Sequence, residues 1–199
     1  MMKNFGEAVI LCGGKSRRME FDKSLAKLNG RYIVEIIAEK LFCCFESVKL
    51  GVYSAKRPGL FDLELIEDKV KGRVGPSAGI YSALAQATTK YVFVVACDLP
   101  LIDPEHIKFM KSLLEHHDYK PDALIPKNGE FIEPLYAFYS TGMAEKFAAE
   151  IEKGNYKIHD ILKKCDTLYF DEKYSRLFDE NLTMFTNINY KTDLEMLSC

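Results

Sequence analysis

The sequence predicts an α/β fold, a mostly parallel central sheet with helices on both faces. Three observations carry this. Apolar runs of strand length alternate with segments of helical period. The central run, Tyr91 to Cys97, is apolar on every residue, as a strand covered on both faces must be. Helix-start signals also follow several strand candidates.

The elements follow in order. Val9 to Leu11 is a buried-type strand ending in Gly13-Gly14. Ile33, Ile37, Leu41 and Cys44 recur at helical spacing, and Val48 to Tyr53 and Leu63 to Ile66 read as strands. Pro76 opens a helix through Ile80 and Leu84. Asp103-Pro104-Glu105 combines an N-cap, a first-turn proline and a first-turn acid, so a helix starts there. Ala123 to Pro126 and Ile132 to Tyr139 are further strand candidates, followed by helices near residues 142–153 and 157–163. No repeat or linker divides the 199 residues, so one domain over 1–199 is expected.

Composition narrows the function classes. The chain is 48% hydrophobic and 28% charged, with a net charge of −2, which argues against a general nucleic-acid binder. No apolar run approaches the ~20 residues that cross a bilayer, and neither a signal peptide nor a membrane partner is expected. The six cysteines lack metal-ligand spacing and read as reduced, buried thiols of an intracellular protein. His106, His116, His117 and His159 also lack mutual ligand spacing and are expected at the surface.

In such sheets ligands bind beyond the carboxyl ends of the strands. After the first strand comes "LCGGKSRRMEFDK". It is not a P-loop, because Val9 stands where that motif needs its first glycine. A third glycine is missing, so it is not a dinucleotide fingerprint either. The glycine pair and the cations Lys15, Arg17, Arg18, Lys23 and Lys27 suit an anion, or equally a solvated turn. Glu67-Asp68 and "GRVGPSAGI" follow the third strand, and Asp98 follows the fully apolar one. An acid there is costly unless it binds a metal or makes hydrogen bonds. N–H groups and cations on one loop and a carboxylate on another suit a nucleoside triphosphate with Mg²⁺. Lys153, Lys157, Lys163 and Lys164 are a solvated face or a landing site for a second anion. Asn187 and Asn189 flank Ile188 at a spacing that puts both on one side of a strand.

These residues resemble the molybdenum cofactor guanylyltransferases. "LCGGKSRRMEFDK" is similar to that family's L-x-G-G-x-S-x-R-M-G-x-D-K signature. The elements "LIEDKVKGRVGPSAGI", "ACDLPLI", "EPLYAFY" and "FTNINYKTDLEML" follow in the family's order over nearly the whole chain. Glu20 replaces a family glycine, Tyr190-Lys191 replaces Thr-Pro, and Gly51-Val52-Tyr53-Ser54 stands where an asparagine is usual. The resemblance implies a Rossmann-like nucleotidyltransferase fold. It implies a cytoplasmic Mg²⁺-dependent enzyme that joins GMP from GTP to the phosphate of molybdopterin. Leu11, Cys12 and Gly13 would line the nucleotide, Gly14 would admit guanine closely, and Gly79 would lie at the nucleotide as well. Lys23 would meet the phosphates, aided by Arg18, Asp68 the nucleoside, and Asp98 the Mg²⁺. Asn187 and Asn189 would contact the pterin. Partners would be proteins that deliver molybdopterin or mature molybdoenzymes. The alternatives are a molybdopterin cytidylyltransferase (the related cytidylyltransferases usually read L-A-A-G at this place) or another small-molecule nucleotidyltransferase, and, of another class, a non-catalytic GTP-binding regulator.

Overall fold

The computed structural model describes residues 2–12, 25–53, 61–70, 75–188 and 193. Its main sheet contains β1 (Glu7–Cys12), β4 (Ser47–Val52), β5 (Glu64–Glu67), β6 (Tyr91–Ala96), β7 (Ala123–Asn128), β9 (Tyr136–Ser140) and β10 (Thr167–Phe170), in the order β10-β7-β9-β6-β1-β4-β5. β8 (Phe131–Ile132) pairs antiparallel with β7, while β2 (Lys27–Leu28) and β3 (Arg31–Tyr32) form a separate hairpin. β1 pairs parallel with both β4 and β6, β4 parallel with β5, and β7 parallel with β10. β9 alone of the seven runs the other way, antiparallel to β6 and β7. The expectation of a mostly parallel sheet is met.

Alternation along the strands builds two cores. Ala8 and Ile10 face α1 (Ile33–Phe42) and α3 (Pro104–His116). Val9 and Leu11 face α2 (Pro76–Leu84), α4 (Met143–Glu152) and α5 (Ile158–Leu162). β6 serves both, with all six residues buried, which accounts for its unbroken apolar run. The helix starts are where the sequence puts them. Asp103 accepts from the N–H groups of Glu105 (2.7 Å) and His106 (3.3 Å). Gly75 precedes Pro76 at φ +80°, a conformation that other residues rarely adopt.

Some expectations are corrected. The run expected from Ile132 to Tyr139 is two strands, because Glu133-Pro134-Leu135 forms a turn in which the Tyr136 N–H donates to Glu133 O at 3.1 Å. Proline has no N–H for the ladder, so pairing stops there. β10 and the β2–β3 hairpin were not anticipated. Residues 186–188 form no strand within the described residues. Of the cysteines, Cys97 is buried, Cys43 is exposed, and Cys12, Cys44 and Cys165 are partly exposed.

His106 is the clearest reversal. It is fully buried on α3, its Nδ1 lying 3.3 Å from the Tyr136 hydroxyl and its Nε2 3.0 Å from Ser175 Oγ on α6 (Glu172–Ser175). Phe170, Phe178 and Phe185 pack around the ring. Burial lowers its pKa to about 4, against a smaller opposing effect of Asp103.

A group whose folded pKa lies below its unfolded value, about 6.5 here, adds stability that is fully present above pH 6.5 and is lost toward pH 4. The shift corresponds to roughly 3 kcal/mol. Thermal melting from pH 7.5 to 4 is expected to show a smaller decline between pH 6.5 and 4 for His106→Gln than for the wild type. Parallel curves would mean that His106 does not carry the dependence.

Candidate nucleotide-binding site

The strand order reverses between β1 and β6: from β1 the chain builds outward through β4 and β5, then returns to place β6 on the other side. The crevice beyond their carboxyl ends is where such sheets bind ligands. There the Cys97 N–H donates to Leu11 O at 3.2 Å, so the chain leaving β1 and the chain leaving β6 start side by side.

Asp98 is half-buried at this point. Its loop is anchored by backbone contacts. Asp98 O accepts the Ile188 N–H at 2.9 Å, and Lys40 Nζ donates to Pro100 O (2.9 Å) and Ile102 O (3.1 Å). The first contact brings exposed Asn187 to the same loop. Asp68 lies at the neighbouring strand ends, its N–H donating to Val52 O at 3.0 Å. Burial, and next the adjacent Glu67, raises its pKa to about 6. Such a carboxyl holds a proton more readily than usual and gains from any ligand that donates to it.

Leu11 and Gly79 meet directly. A Cβ at Gly79 would come within 3.0 Å of Leu11 Cδ2, and one at Gly51 within 2.8 Å of the same atom. Gly79 is thus the close-packing residue that lets α2 lie on β1. Cys12 ends β1, facing Val52 in the register. Gly13, Gly14, Lys15, Arg17, Arg18, Lys23 and Asn189, together with Glu20 and Tyr190-Lys191, lie outside the described residues.

Of Lys153, Lys157, Lys163 and Lys164, Lys153 and Lys164 are held within the protein. Glu150 binds Lys164 (2.6 Å), Asn155 (2.9 Å) and Lys153 (3.0 Å), and these contacts, Lys164 first, hold its pKa down to about 2. Sequence reasoning did not anticipate this carboxylate, whose partners lie up to fourteen residues away. It likewise missed the Lys40 clamp, whose acceptors are backbone carbonyls about sixty residues on.

Magnesium takes oxygen ligands, with one or two from the protein and the rest from phosphates and water. A half-buried carboxylate on an anchored loop fits that role. Among the described residues no group of three or more His, Cys, Asp or Glu forms a fuller metal cage. No helix of the described residues is long and apolar enough to cross a membrane.

A mostly parallel sheet whose strand order reverses between β1 and β6 defines an α/β protein of the kind that binds ligands at that switch point. Residues 8–168 match the model of the MobA-like NTP transferase domain, and the chain belongs to that family. It is 33% identical over 199 residues to a probable molybdenum cofactor guanylyltransferase from Peptoclostridium acidaminophilum, covering 98% of this chain and 90% of that protein. It is 37% identical to one from Natranaerobius thermophilus, covering 94% and 92%. Among solved structures, molybdopterin-guanine dinucleotide biosynthesis protein A from Archaeoglobus fulgidus superposes with a TM-score of 0.84 at 30% identity, covering 96% of each chain. A Thermus thermophilus 2-C-methyl-D-erythritol 4-phosphate cytidylyltransferase shares the fold at TM-score 0.67 and 13% identity, over 100% of this chain and 98% of that one.

Asp68 gives the site a pH signature. If its carboxylate accepts a hydrogen bond from the nucleoside, GTP affinity is expected to rise as pH increases through about 6, where Asp68 ionises. Asp68→Asn should weaken binding at pH 7.5 and remove this part of the pH dependence. The same change should raise the melting temperature of the ligand-free protein at pH 7.5. An acid whose folded pKa is raised destabilises the fold above that pKa, and the penalty vanishes below its unfolded value of about 4. Calorimetric titration from pH 5 to 8 checks the binding claim, and an unchanged profile in the variant removes Asp68 from the site.

Proposed function

We propose that the protein transfers the GMP moiety of GTP to the phosphate of molybdopterin in the molybdenum cofactor, releasing pyrophosphate. The observation that carries this reading is Asp98, held at the switch point between β1 and β6 in a chain whose relatives are named for this reaction. The bond formed joins a pterin phosphate oxygen to the α-phosphorus. The bond broken is the one to the β-phosphate, whose oxygen leaves with the pyrophosphate.

Each residue has a role in that exchange. The strand-end backbone at Leu11 and Cys12, continuing into Gly13 and Gly14, cradles the nucleoside, with Asp68 accepting from it. Gly79 keeps α2 close enough to wall the crevice. Arg18 and Lys23 offset charge on the α-phosphoryl group and the leaving pyrophosphate. Asp98 holds Mg²⁺, which when bound would neutralise phosphate charge and draw the two reactants together. Asn187, brought to the Asp98 loop through Ile188, and Asn189 orient the pterin. Such a reaction needs positioning and charge neutralisation rather than a nucleophilic side chain.

The discriminating experiment measures pyrophosphate release from GTP, CTP and ATP with molybdopterin and Mg²⁺, together with nucleotide affinity. GTP is expected to support turnover and to bind at least about tenfold tighter than CTP, a difference of ~1.4 kcal/mol. Preference for CTP would make the protein a cytidylyltransferase, and tight GTP binding without pyrophosphate would make it a regulator.

Asp98→Asn keeps the side chain's size and removes its charge. Turnover is expected to fall by roughly a hundredfold or more while the melting temperature holds. Near-normal turnover per folded molecule would remove Asp98 from the metal site.

A further inference from the structure

The turn between β8 and β9 holds a carboxylate that the reading above does not use. The Glu133 N–H donates to Pro126 O at 3.0 Å, and the Ala96 N–H donates to Leu135 O at 3.0 Å. The turn is thereby fixed to β7 on one side and β6 on the other. β9 pairs Tyr136 with Val95 in the antiparallel register. Beyond that pair the chain turns, with Leu135 still bonded to β6 and Glu133 to Pro126 of β7. Bonded to Pro126 and Asn128, Glu133 stands near the carboxyl end of β7 (Ala123–Asn128), on the opposite side of β6 from β1.

Its chemistry is incomplete. The carboxylate is half-buried, and among the described residues its one hydrogen bond comes from Asn128 Nδ2 to Oε1 at 3.1 Å, with no cation pairing. Burial raises its pKa, while Asn128 pulls the other way. An ionised carboxylate accepts at about four positions, so most of this group's capacity is unused. Asn128 meanwhile fixes its orientation.

Position selects the donor. Leu11, Cys12 and Asp68 lie on the β1, β4 and β5 side of Asp98, and Glu133 and Asn128 lie on the β9 and β7 side. A nucleotide bound on the first side leaves the second for the acceptor. The 2-amino-4-oxo edge of a pterin presents two neighbouring N–H donors, which a carboxylate accepts in bidentate fashion. We propose that Glu133, oriented by Asn128, binds the pterin edge of the acceptor and sets its specificity. This rests on the guanylyl-transfer reading above. Guanine carries the same edge chemistry, so the test separates the two bases.

The test compares Glu133→Gln, Glu133→Asp and Asn128→Ala with the wild type. It measures KM for molybdopterin and kcat at saturating GTP, the Kd for GTP without acceptor, and the melting temperature. Glu133→Gln is expected to raise KM for molybdopterin tenfold or more, with Kd for GTP within twofold of the wild type. Asn128→Ala should raise KM severalfold, and Glu133→Asp should recover part of the loss. An unchanged KM overturns the proposal. So does a Kd for GTP that weakens as much as KM, since the carboxylate would then serve guanine. Lost melting temperature and kcat at constant KM would make the residue structural and overturn it too. If the wild type turns over no molybdopterin, the guanylyl-transfer reading fails and this proposal falls with it. Wild-type turnover with unaltered KM in the variants sinks this proposal alone.

Discussion

The side chain of Leu11 occupies the space left by two absent methyl groups, and the geometry of the ligand-binding edge follows from that contact. Gly51 on β4 and Gly79 on α2 both face Leu11 Cδ2, at distances that a Cβ would shorten to 2.8 and 3.0 Å. α2 can therefore lie directly on β1 and β4. A helix displaced by a methyl group would carry its first turn, Gly75-Pro76, away from the ends of those strands. Leu11 is also the last β1 residue opposite β6, paired with Ala96, and its carbonyl accepts from Cys97. One residue thus sets the depth of α2 and the start of the loop leading to Asp98.

The two ends of the sheet treat buried acids in opposite ways. At the amino end, Glu7 is buried, yet burial, which alone would raise its pKa, is outweighed by the Thr88 N–H, Lys49 and the Thr89 N–H, leaving the pKa below normal. Lys49 Nζ lies 3.1 Å away, and burial, which alone would lower its pKa, is outweighed by Glu7 and Glu64, so it stays charged. Removing one partner of such a pair costs about 3–5 kcal/mol, so this end is committed to stability. At the carboxyl end Asp68 and Glu133 have raised pKa values. An acid left short of donors on a rigid frame is a cost to the empty protein that a donating ligand offsets.

Legibility in the sequence tracks how local each cause is. β6 was readable because burial on both faces leaves only apolar residues, and α3 because its cap is written in three adjacent letters. Asp98 stands out in the sequence as an acid directly after a fully apolar strand, whereas Asp68 follows Glu67 and is picked out by the family resemblance alone. His106 was not, since its partners Tyr136 and Ser175 are 30 and 69 residues away and the sequence shows only a histidine near a helix start. The reversal of β9 was hidden for a similar reason: its apolar pattern would suit either direction, and Pro134 was read inside the strand it interrupts. Glu133 gains meaning only once the turn fixes it against β7.

Charge at this edge also bears on the cationic stretch of the sequence that follows β1. Asp68 and Asp98 follow the ends of β5 and β6, and Glu133 lies in the turn between β8 and β9, so three acids stand along this side of the sheet. In the proposed reaction a triphosphate would add more negative charge, and repulsion at contact distances is screened by salt less than that between exposed groups. The sequence answers with Lys15, Arg17, Arg18 and Lys23 directly after the glycine pair, in a chain whose net charge is only −2. Overall charge therefore says little about this site. Along the sequence the cations cluster on the segment following β1, so in the proposed reaction the phosphates would find their opposite charge there.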